Sequence, residues 1–412
     1  MPKEKKIRDV VYGFVFADEQ ECAIIDHPAF QRLRRVKQLS LTDMVYPGAT
    51  HTRFEHCIGV MQMASDMYDS IVSKQSAKDI LSGLSVDDTG IKRYRKIVRL
   101  AALLHDVGHP PFAHAGELLM PPRPGVPIGS DIERYEHEDY SVAMIKALFK
   151  ELIEDHSINS NFRITVDEVT ALLGDQSVKL KGAGLLWKEL ISGQLDADRA
   201  DYLLRDSIHL GVSYGLYDRS RLVCCMTLAR TETDAPVLAV EDGGWHIAES
   251  LVIARYQMFT QVYFHKVRRI YDYHVHQACL ELLKKPKKNN GFYPPPTKIN
   301  EYLKYDDCFM YSRMLSGEAG VSGDIIVNRK HYRCIYETQI TPTAADERKL
   351  TELEHEYKGQ KYYLDEALAL WYKFDADILI SGKDCIQPLS EKSKIVHSMI
   401  EKPCQKRFYV MR

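Results

Sequence analysis

Residues 104–109 read Leu104-His105-Asp106-Val107-Gly108-His109 and run on into Pro110-Pro111-Phe112-Ala113-His114. Upstream, Ile97, Val98, Leu100, Ala101, Ala102, Leu103 and Leu104 make the span 94–107 apolar on nearly every side. A helix with no polar face is a buried one, so the sequence predicts a core helix that delivers a histidine and an aspartate to its end. An ionised aspartate there is costly to bury unless a cation or hydrogen bonds offset the loss of water. Successive helical residues point about 100° apart. The pair therefore shares an ion only if that ion lies between them and other segments complete its shell. Alone, a His-Asp dipeptide is more often structural than functional.

Its company along the chain changes that. Upstream lies His51-Thr52-Arg53-Phe54-Glu55-His56, at the start of a predicted helix over 54–73. Downstream lies Leu195-Asp196-Ala197-Asp198-Arg199-Ala200-Asp201-Tyr202-Leu203-Leu204-Arg205-Asp206, richer in carboxylates than one helix face needs for solubility, although a solvated acidic face is the plain alternative. A shell of two imidazoles and two carboxylates suits iron, manganese, zinc or nickel better than calcium, which takes all-oxygen shells. It also leaves positions open for water and a phosphate oxygen, as hydrolysis requires.

Composition sets the outer bounds. A chain of 412 residues holds one large domain, or a main domain with an appendage. With 55 Lys+Arg against 57 Asp+Glu, the net charge of −2 gives no general attraction to nucleic acid or anionic membrane. Apolar residues at 45% and charged ones at 27% exclude a mostly disordered chain. No apolar run reaches the roughly 18 residues that span a bilayer. The opening Met1-Pro2-Lys3-Glu4-Lys5-Lys6 has no apolar segment behind it, which predicts no signal peptide. Nine cysteines without a Cys-x-x-Cys predict free thiols and a cytoplasmic location. The 16 histidines stand out, and only position can sort them.

Pattern and punctuation predict a strand or hairpin edge over 7–17 and a helix carrying Phe30, Leu33, Val36 and Leu39. A proline-rich loop follows at 121–127, then helices near 140–154, 167–173 and 185–210. A hairpin is expected over 236–247, turning at Glu241-Asp242-Gly243-Gly244, and then a long helix over 248–283. Residues 284–296 read as an exposed connection, and the tail as strands at 323–337 and 406–411 around a helix at 362–379. The fold class is thus mainly α: a helical core over 1–335 with short β hairpins, and a smaller mixed α/β region over 336–412.

The order His56, His105-Asp106, Asp198 resembles the HD-domain metal-dependent phosphohydrolases. The surrounding words resemble the deoxynucleoside triphosphate (dNTP) triphosphohydrolases of that superfamily. They are Phe30-Gln31-Arg32-Leu33-Arg34, Lys37-Gln38-Leu39, Tyr46-Pro47-Gly48-Ala49, the segments 51–56, 104–109 and 196–206, Glu136-His137-Glu138, and Tyr263-Phe264-His265-Lys266-Val267. Together they cover roughly residues 7–335.

The resemblance implies His56, His105, Asp106 and Asp198 as ligands of a divalent transition metal (Mn, Fe, Zn or Ni), with Mg accompanying the nucleotide. Asp198 is favoured over Asp196 because it directly precedes the basic Arg199. His109, His114, Glu117 and His137 would line the catalytic side, His137 as general acid with Glu117 where the family often has aspartate. Arg53, Arg199, Arg255 and Lys266 would hold phosphates, and Gln38, Tyr202, Asp206 and Tyr263 the sugar. Asp26, Gln31 and Arg34 match a site that reads a guanine nucleotide between subunits, although Asp9-Val10-Val11-Tyr12-Gly13 departs from the usual Asp-Pro-x-x-Gly beside it. The implied partners are a dNTP substrate, a GTP or dNTP activator and further copies of the chain in a dimer or tetramer. The competing readings are an HD phosphohydrolase of another nucleotide or phosphoester, and a nucleotide-binding regulator with a vestigial site.

Overall fold

A β hairpin comes first among the described elements: β1 (Lys5–Asp9) pairs antiparallel with β2 (Gly13–Ala17), Lys5 opposite Ala17. Gly13 takes φ +74, a left-handed conformation that a side chain would resist. The structure is a computed structural model that describes residues 4–125, 133–180, 182–285, 290–368, 372, 376–383, 385–400 and 404–411. Helix α1 (Glu19–Asp26) starts with a reciprocal box, in which Asp18 accepts from the Glu21 amide and Glu21 from the Asp18 amide.

Two long helices form the centre. Helix α2 (Arg53–Ser73) packs along α3 (Asp88–Leu104). Ile97, Val98 and Leu100 to Leu104 are at most 2% exposed, so the apolar helix read from sequence is the core helix. It starts six residues earlier than expected, where Asp87 caps the Gly90 amide at 2.8 Å, and it stops at Leu104. His105 and Asp106 therefore begin the turn that follows. That turn leads through α4 (His114–Glu117) to α5 (His137–Leu148).

The single helix expected over 185–210 is two, α6 (Ala183–Ser192) and α7 (Ala197–Leu210). At Gly193, where α6 ends, a Cβ would lie 2.3 Å from the Glu189 carbonyl oxygen. Asp196 then restarts the chain by accepting from the Arg199 amide at 2.7 Å. Likewise 30–39 is no continuous helix. One turn at Pro28–Gln31 tightens to a 3₁₀ turn at Arg32–Arg35 and opens at Val36, because the Gln38 amide bonds the His51 carbonyl at 3.0 Å.

The hairpin lies earlier than its glycines suggested: β3 (Met226–Arg230) pairs with β4 (Pro236–Glu241). Asp242–Gly244 form a 3₁₀ turn into α8 (Trp245–Met258), where a Cβ on Gly244 would sit 2.4 Å from that of Cys225. The long helix expected over 248–283 is interrupted by a π-helical segment, Phe259–Tyr263, before α9 (Lys266–Lys284). In the connection 284–296, residues 286–289 lie outside the described ones. Tyr293 is 1% exposed and its amide bonds the Leu119 carbonyl, so this stretch is packed and not exposed throughout. The loop expected at 121–127 is loop as far as Gly125; 126 and 127 lie outside the described residues.

In the tail, Gly320–Val327 is helical, so the strand expected over 323–337 reduces to β5 (Arg333–Glu337). The helix expected over 362–379 is overturned where described: Tyr362–Leu368 is strand β6, followed later by β7 (Leu379–Ser381). Asp365 and Ala367 are buried between exposed Glu366 and Leu368, a period of two that suits a strand. With β8 (Ile386–Pro388) and β9 (Cys404–Val410) the tail completes two sheets, β3-β4-β7-β8 and β5-β9-β6. Strand β7 runs parallel to β4, so residues beyond 335 extend a sheet begun at 226. The fold is mainly α with small β regions. All nine cysteines are free, and no helix among the described residues is long and apolar enough to cross a membrane.

Candidate active site

Three segments converge at the end of α3. His56 comes from the first turn of α2, His105 and Asp106 from the turn after α3, and Asp198 from the first turn of α7. His56 Nε2 lies 2.9 Å from Asp198 Oδ1 and 3.8 Å from Asp106 Oδ2. His105 Nε2 lies 3.5 Å from Asp106 Oδ2 and 3.7 Å from Asp198 Oδ1. The ligand-type atoms of His56, His105 and Asp198 fall within 4.8 Å of one another.

Both imidazoles are oriented from behind. His56 Nδ1 donates to Asp201 Oδ2 at 2.8 Å, and His105 Nδ1 to the Ala102 carbonyl at 2.8 Å. That leaves each Nε2 facing inward, buried and without a hydrogen-bond partner among the described residues. The backing carboxylate is itself held: Arg205 donates twice to Asp201, at 2.8 and 3.0 Å, and once to Asp9 at 2.9 Å. Tyr12 completes it with a 2.8 Å bond to Asp201. Gly59 makes room, since a Cβ there would sit 2.1 Å from both Asp201 Oδ1 and Arg205 Nη2. A carboxylate behind a ligating histidine is the usual support of a metal site.

The electrostatics fit a cation. Burial alone would lower the His56 pKa, but Asp198 and Asp201 push it up to about 10. Either a proton or a metal ion must separate Nε2 from the Asp198 oxygen. Asp106 is pulled down against burial, chiefly by the Arg53 guanidinium that bonds it. The inward atoms of His56, His105 and Asp198 could hold a transition metal, with Asp106 Oδ2 3.8 and 3.5 Å from the two imidazole Nε2 atoms and grouped with His109 and His137.

Beyond Asp106 lies a second histidine group. His109, fully buried, has neither ring nitrogen bonded among the described residues, and it stacks on His137 with centroids 4.1 Å apart. His137 Nδ1 reaches Glu117 Oε1 at 2.5 Å, and His114 Nδ1 meets the other Glu117 oxygen at 2.9 Å. His137 Nε2 stands 3.5 Å from Asp106 Oδ1. Burial opposes it, but Glu117 lifts the His137 pKa to about 9, which favours the protonated imidazole. The connecting loop is tight. Phe112 and Ala113 take φ +60 and +52, and a Cβ at Gly108 would lie 2.3 Å from the Ser141 amide.

A cavity of about 350 Å³ opens beside this cluster, lined by Gln38, Arg53, His114, Tyr202, Asp206 and Tyr263 among others. Tyr263 donates to Asp206 Oδ2 at 2.6 Å, and His51 Nε2 lies 2.8 Å from Asp206 Oδ1. A second opening of about 240 Å³ exposes His105, Asp106, His137, Asp196, Asp198 and Arg199. Burial foremost, and also the charge of Arg199, lower the pKa of Arg255, which is bonded to Tyr202.

The structure thus gathers nearly all the residues singled out by sequence. Lys266 is not among them: it is exposed at the start of α9, while Arg268 and Arg269, two and three residues further on, line the larger cavity. Asp26, Gln31 and Arg34 lie apart from the cluster. Asp26 pairs with Lys5 at 2.6 Å, while Arg34 bonds Gln31 at 2.9 Å and covers the Phe54 ring at 3.5 Å. Sequence reading missed Asp201, Arg205 and Asp9. The spacing of Asp198, Asp201 and Arg205 along one helix was the available signal, since positions three and four apart are neighbours. Arg268, Asp272 and Tyr273 carried no comparable signal.

Comparison with known proteins agrees with this geometry. Residues 53–206 match the HD domain, and residues 217–361 match the HD-associated region. An uncharacterized protein of Methanocaldococcus jannaschii, MJ1154, is 31% identical over 376 residues, which is 91% of this chain and 68% of that protein. The deoxynucleoside triphosphate triphosphohydrolase SAMHD1 homolog of Dictyostelium discoideum is 30% identical over 279 residues, 67% of this chain and 49% of its own length. The chain therefore spans about half of that relative. A crystal structure of a hypothetical protein from Aquifex aeolicus superposes with a TM-score of 0.79 at 29% identity, covering 100% of this chain and 97% of that one. The chain belongs to the HD-domain family, with its HD domain followed by the HD-associated region.

Proposed function

We propose that the chain is a metal-dependent hydrolase of deoxynucleoside triphosphates, releasing a deoxynucleoside and tripolyphosphate. One observation carries this reading. The inward-facing His56, His105, Asp106 and Asp198 adjoin, through Arg53, a cavity walled by Gln38, Tyr202, Asp206 and Tyr263. A simple phosphomonoesterase needs the first group and has no use for the second. The name of the Dictyostelium relative supports the same substrate class.

A divalent cation at the four ligands would polarise a phosphoryl oxygen and make a water nucleophilic near neutral pH. The chain's own residues do the rest. Arg53, Arg199 and Arg255 supply guanidinium groups for phosphate oxygens, which they can meet two at a time. Arg199 and Arg255 lie close enough to repel, a cost that a polyanion removes. Protonated His137, with Glu117 behind it, donates to the departing 5′-oxygen of the nucleoside. Tyr202 and Tyr263, with centroids 6.2 Å apart, present an aromatic wall to the sugar, where a 2′-hydroxyl would crowd. Asp26, Gln31 and Arg34 would take a guanine nucleotide that promotes a dimer or tetramer.

The test is product analysis with each dNTP and Mn²⁺ or Mg²⁺, resolving tripolyphosphate from pyrophosphate and orthophosphate. Stoichiometric tripolyphosphate with deoxynucleoside is expected. Orthophosphate alone overturns the substrate assignment and leaves a general HD phosphohydrolase. Light scattering with added GTP checks the assembly, and an unchanged mass removes the activator from the scheme.

A further inference from the structure

Helix α9 carries Arg268, Asp272 and His276 at four-residue intervals, so they form one stripe along its axis, and all three line the 350 Å³ cavity beyond Tyr263. The first two are poorly matched to each other. Arg268 Nη2 stands 3.5 Å from Asp272 Oδ2, well outside the 2.7–2.9 Å of a charge-assisted hydrogen bond. Arg268 bonds the Tyr263 carbonyl through Nη1, while its Nε is buried without a partner among the described residues. Their side chains are only 12% and 17% exposed. Burial raises the Asp272 pKa, with Arg268 and Arg269 opposing it. A donor and an acceptor thus face one cavity with hydrogen-bonding capacity to spare, which is a costly arrangement unless a ligand uses it.

We propose that Arg268 and Asp272 form a base-reading subsite that selects guanine, an inference that rests on reading this cavity as the nucleotide site. A triphosphate is a poor occupant for this end. Asp206 and Asp272 both face the cavity, and Arg269 is neutralised by Asp365 at 2.5 and 3.0 Å. A nucleobase fits better. Guanine alone among the four presents two adjacent N–H groups, N1–H and N2–H, for one carboxylate, with O6 beside them for a guanidinium. Tyr273 supplies a flat neighbour, its ring held parallel to Tyr363 at 4.1 Å between centroids.

The experiment compares dGTP with dITP, which differs only by lacking the N2 amino group, in the wild-type enzyme and in Asp272→Asn. The wild type should turn over dGTP with a kcat/KM at least about 10-fold above that for dITP, and the ratio should fall toward one in the variant. Equal values for the two nucleotides in the wild type, a measurement that needs no variant, overturn the subsite. So does a preference that survives in Asp272→Asn. If no nucleotide yields tripolyphosphate, the substrate assignment fails instead. Calorimetric titration with deoxyguanosine against deoxyinosine then decides the subsite alone: tighter deoxyguanosine binding supports it, and equal binding overturns it.

Discussion

Two buried charge clusters involve α2 and α3, and they are built by opposite rules. In one, Glu21 receives two bonds from Arg99, both at 2.7 Å, and one from Lys96 at 2.9 Å. Lys96 also meets Asp18 at 2.6 Å, and Arg99 also meets Ser65 at 2.6 Å. Each charge in it is answered within the chain. In the other, the inward nitrogens of His56, His105 and His109 are buried without hydrogen-bond partners among the described residues. A closed cluster holds segments together, whereas an open one leaves capacity for something the chain does not contain.

Breaking the open cluster gives the largest expected effect. His105→Ala should lower dNTP turnover by about 10³-fold or more and reduce bound transition metal, read by elemental analysis. The metal-free fold should change little, because His105 bonds only a local carbonyl behind it. A variant that keeps its metal and its turnover would return this cluster to the structural class. Breaking the closed cluster should do the reverse. Arg99→Met strips both oxygens of the buried Glu21 of their bidentate partner, so unfolding free energy should drop by about 3 kcal/mol. Turnover per folded molecule should stay unchanged, with urea unfolding and kinetics at low temperature as the readouts.

Between the two stands Asp201, which belongs to the closed type but serves the open one. It ties His56 to Arg205 and Tyr12. Asp201→Asn should therefore weaken metal affinity by about 10- to 100-fold with a smaller loss of stability, measured by competition against a chelator. Unchanged affinity would make the pair Asp201–Arg205 a packing device only.

How much of this was legible beforehand follows from the same physics. The core helix announced itself, because Ile97, Val98 and Leu100 to Leu104 make it apolar on nearly every face. The candidate metal cluster announced itself through words brought together only by resemblance. The breaks in helices were harder to read, since Gly193 ends α6 through a close approach to the Glu189 carbonyl that no local pattern records. Glu241 to Gly244 looked like a hairpin turn, yet Gly244 is glycine because Cys225 packs against it. The segment 362–368 was read as helix, and its strand state depends on pairing with β9 some forty residues away. Arg268 and Asp272 were invisible for another reason: their unmatched bonding is a property of distance, and sequence carries none.

The smallest effect sharpens the comparison by titration. Burial alone would raise the Glu21 pKa, but Arg99 and Lys96 hold it at about 2, against 4.5 for an ordinary glutamate. A carboxylate depressed in the folded state contributes stability that is complete well above its unfolded pKa and declines as pH falls toward the folded one. The window therefore lies between about pH 5 and pH 2. Protonation of the unfolded chain alone should remove about 0.8 kcal/mol of this contribution on going from pH 7 to pH 4. Glu21→Gln cannot titrate, so its unfolding free energy, already lower at pH 7, should fall less over the same interval. Other carboxylates titrate in both proteins and cancel in the difference. If the two unfolding curves run parallel from pH 7 to pH 4, Glu21 is not held ionised by Arg99 and Lys96, and the closed cluster loses its electrostatic character.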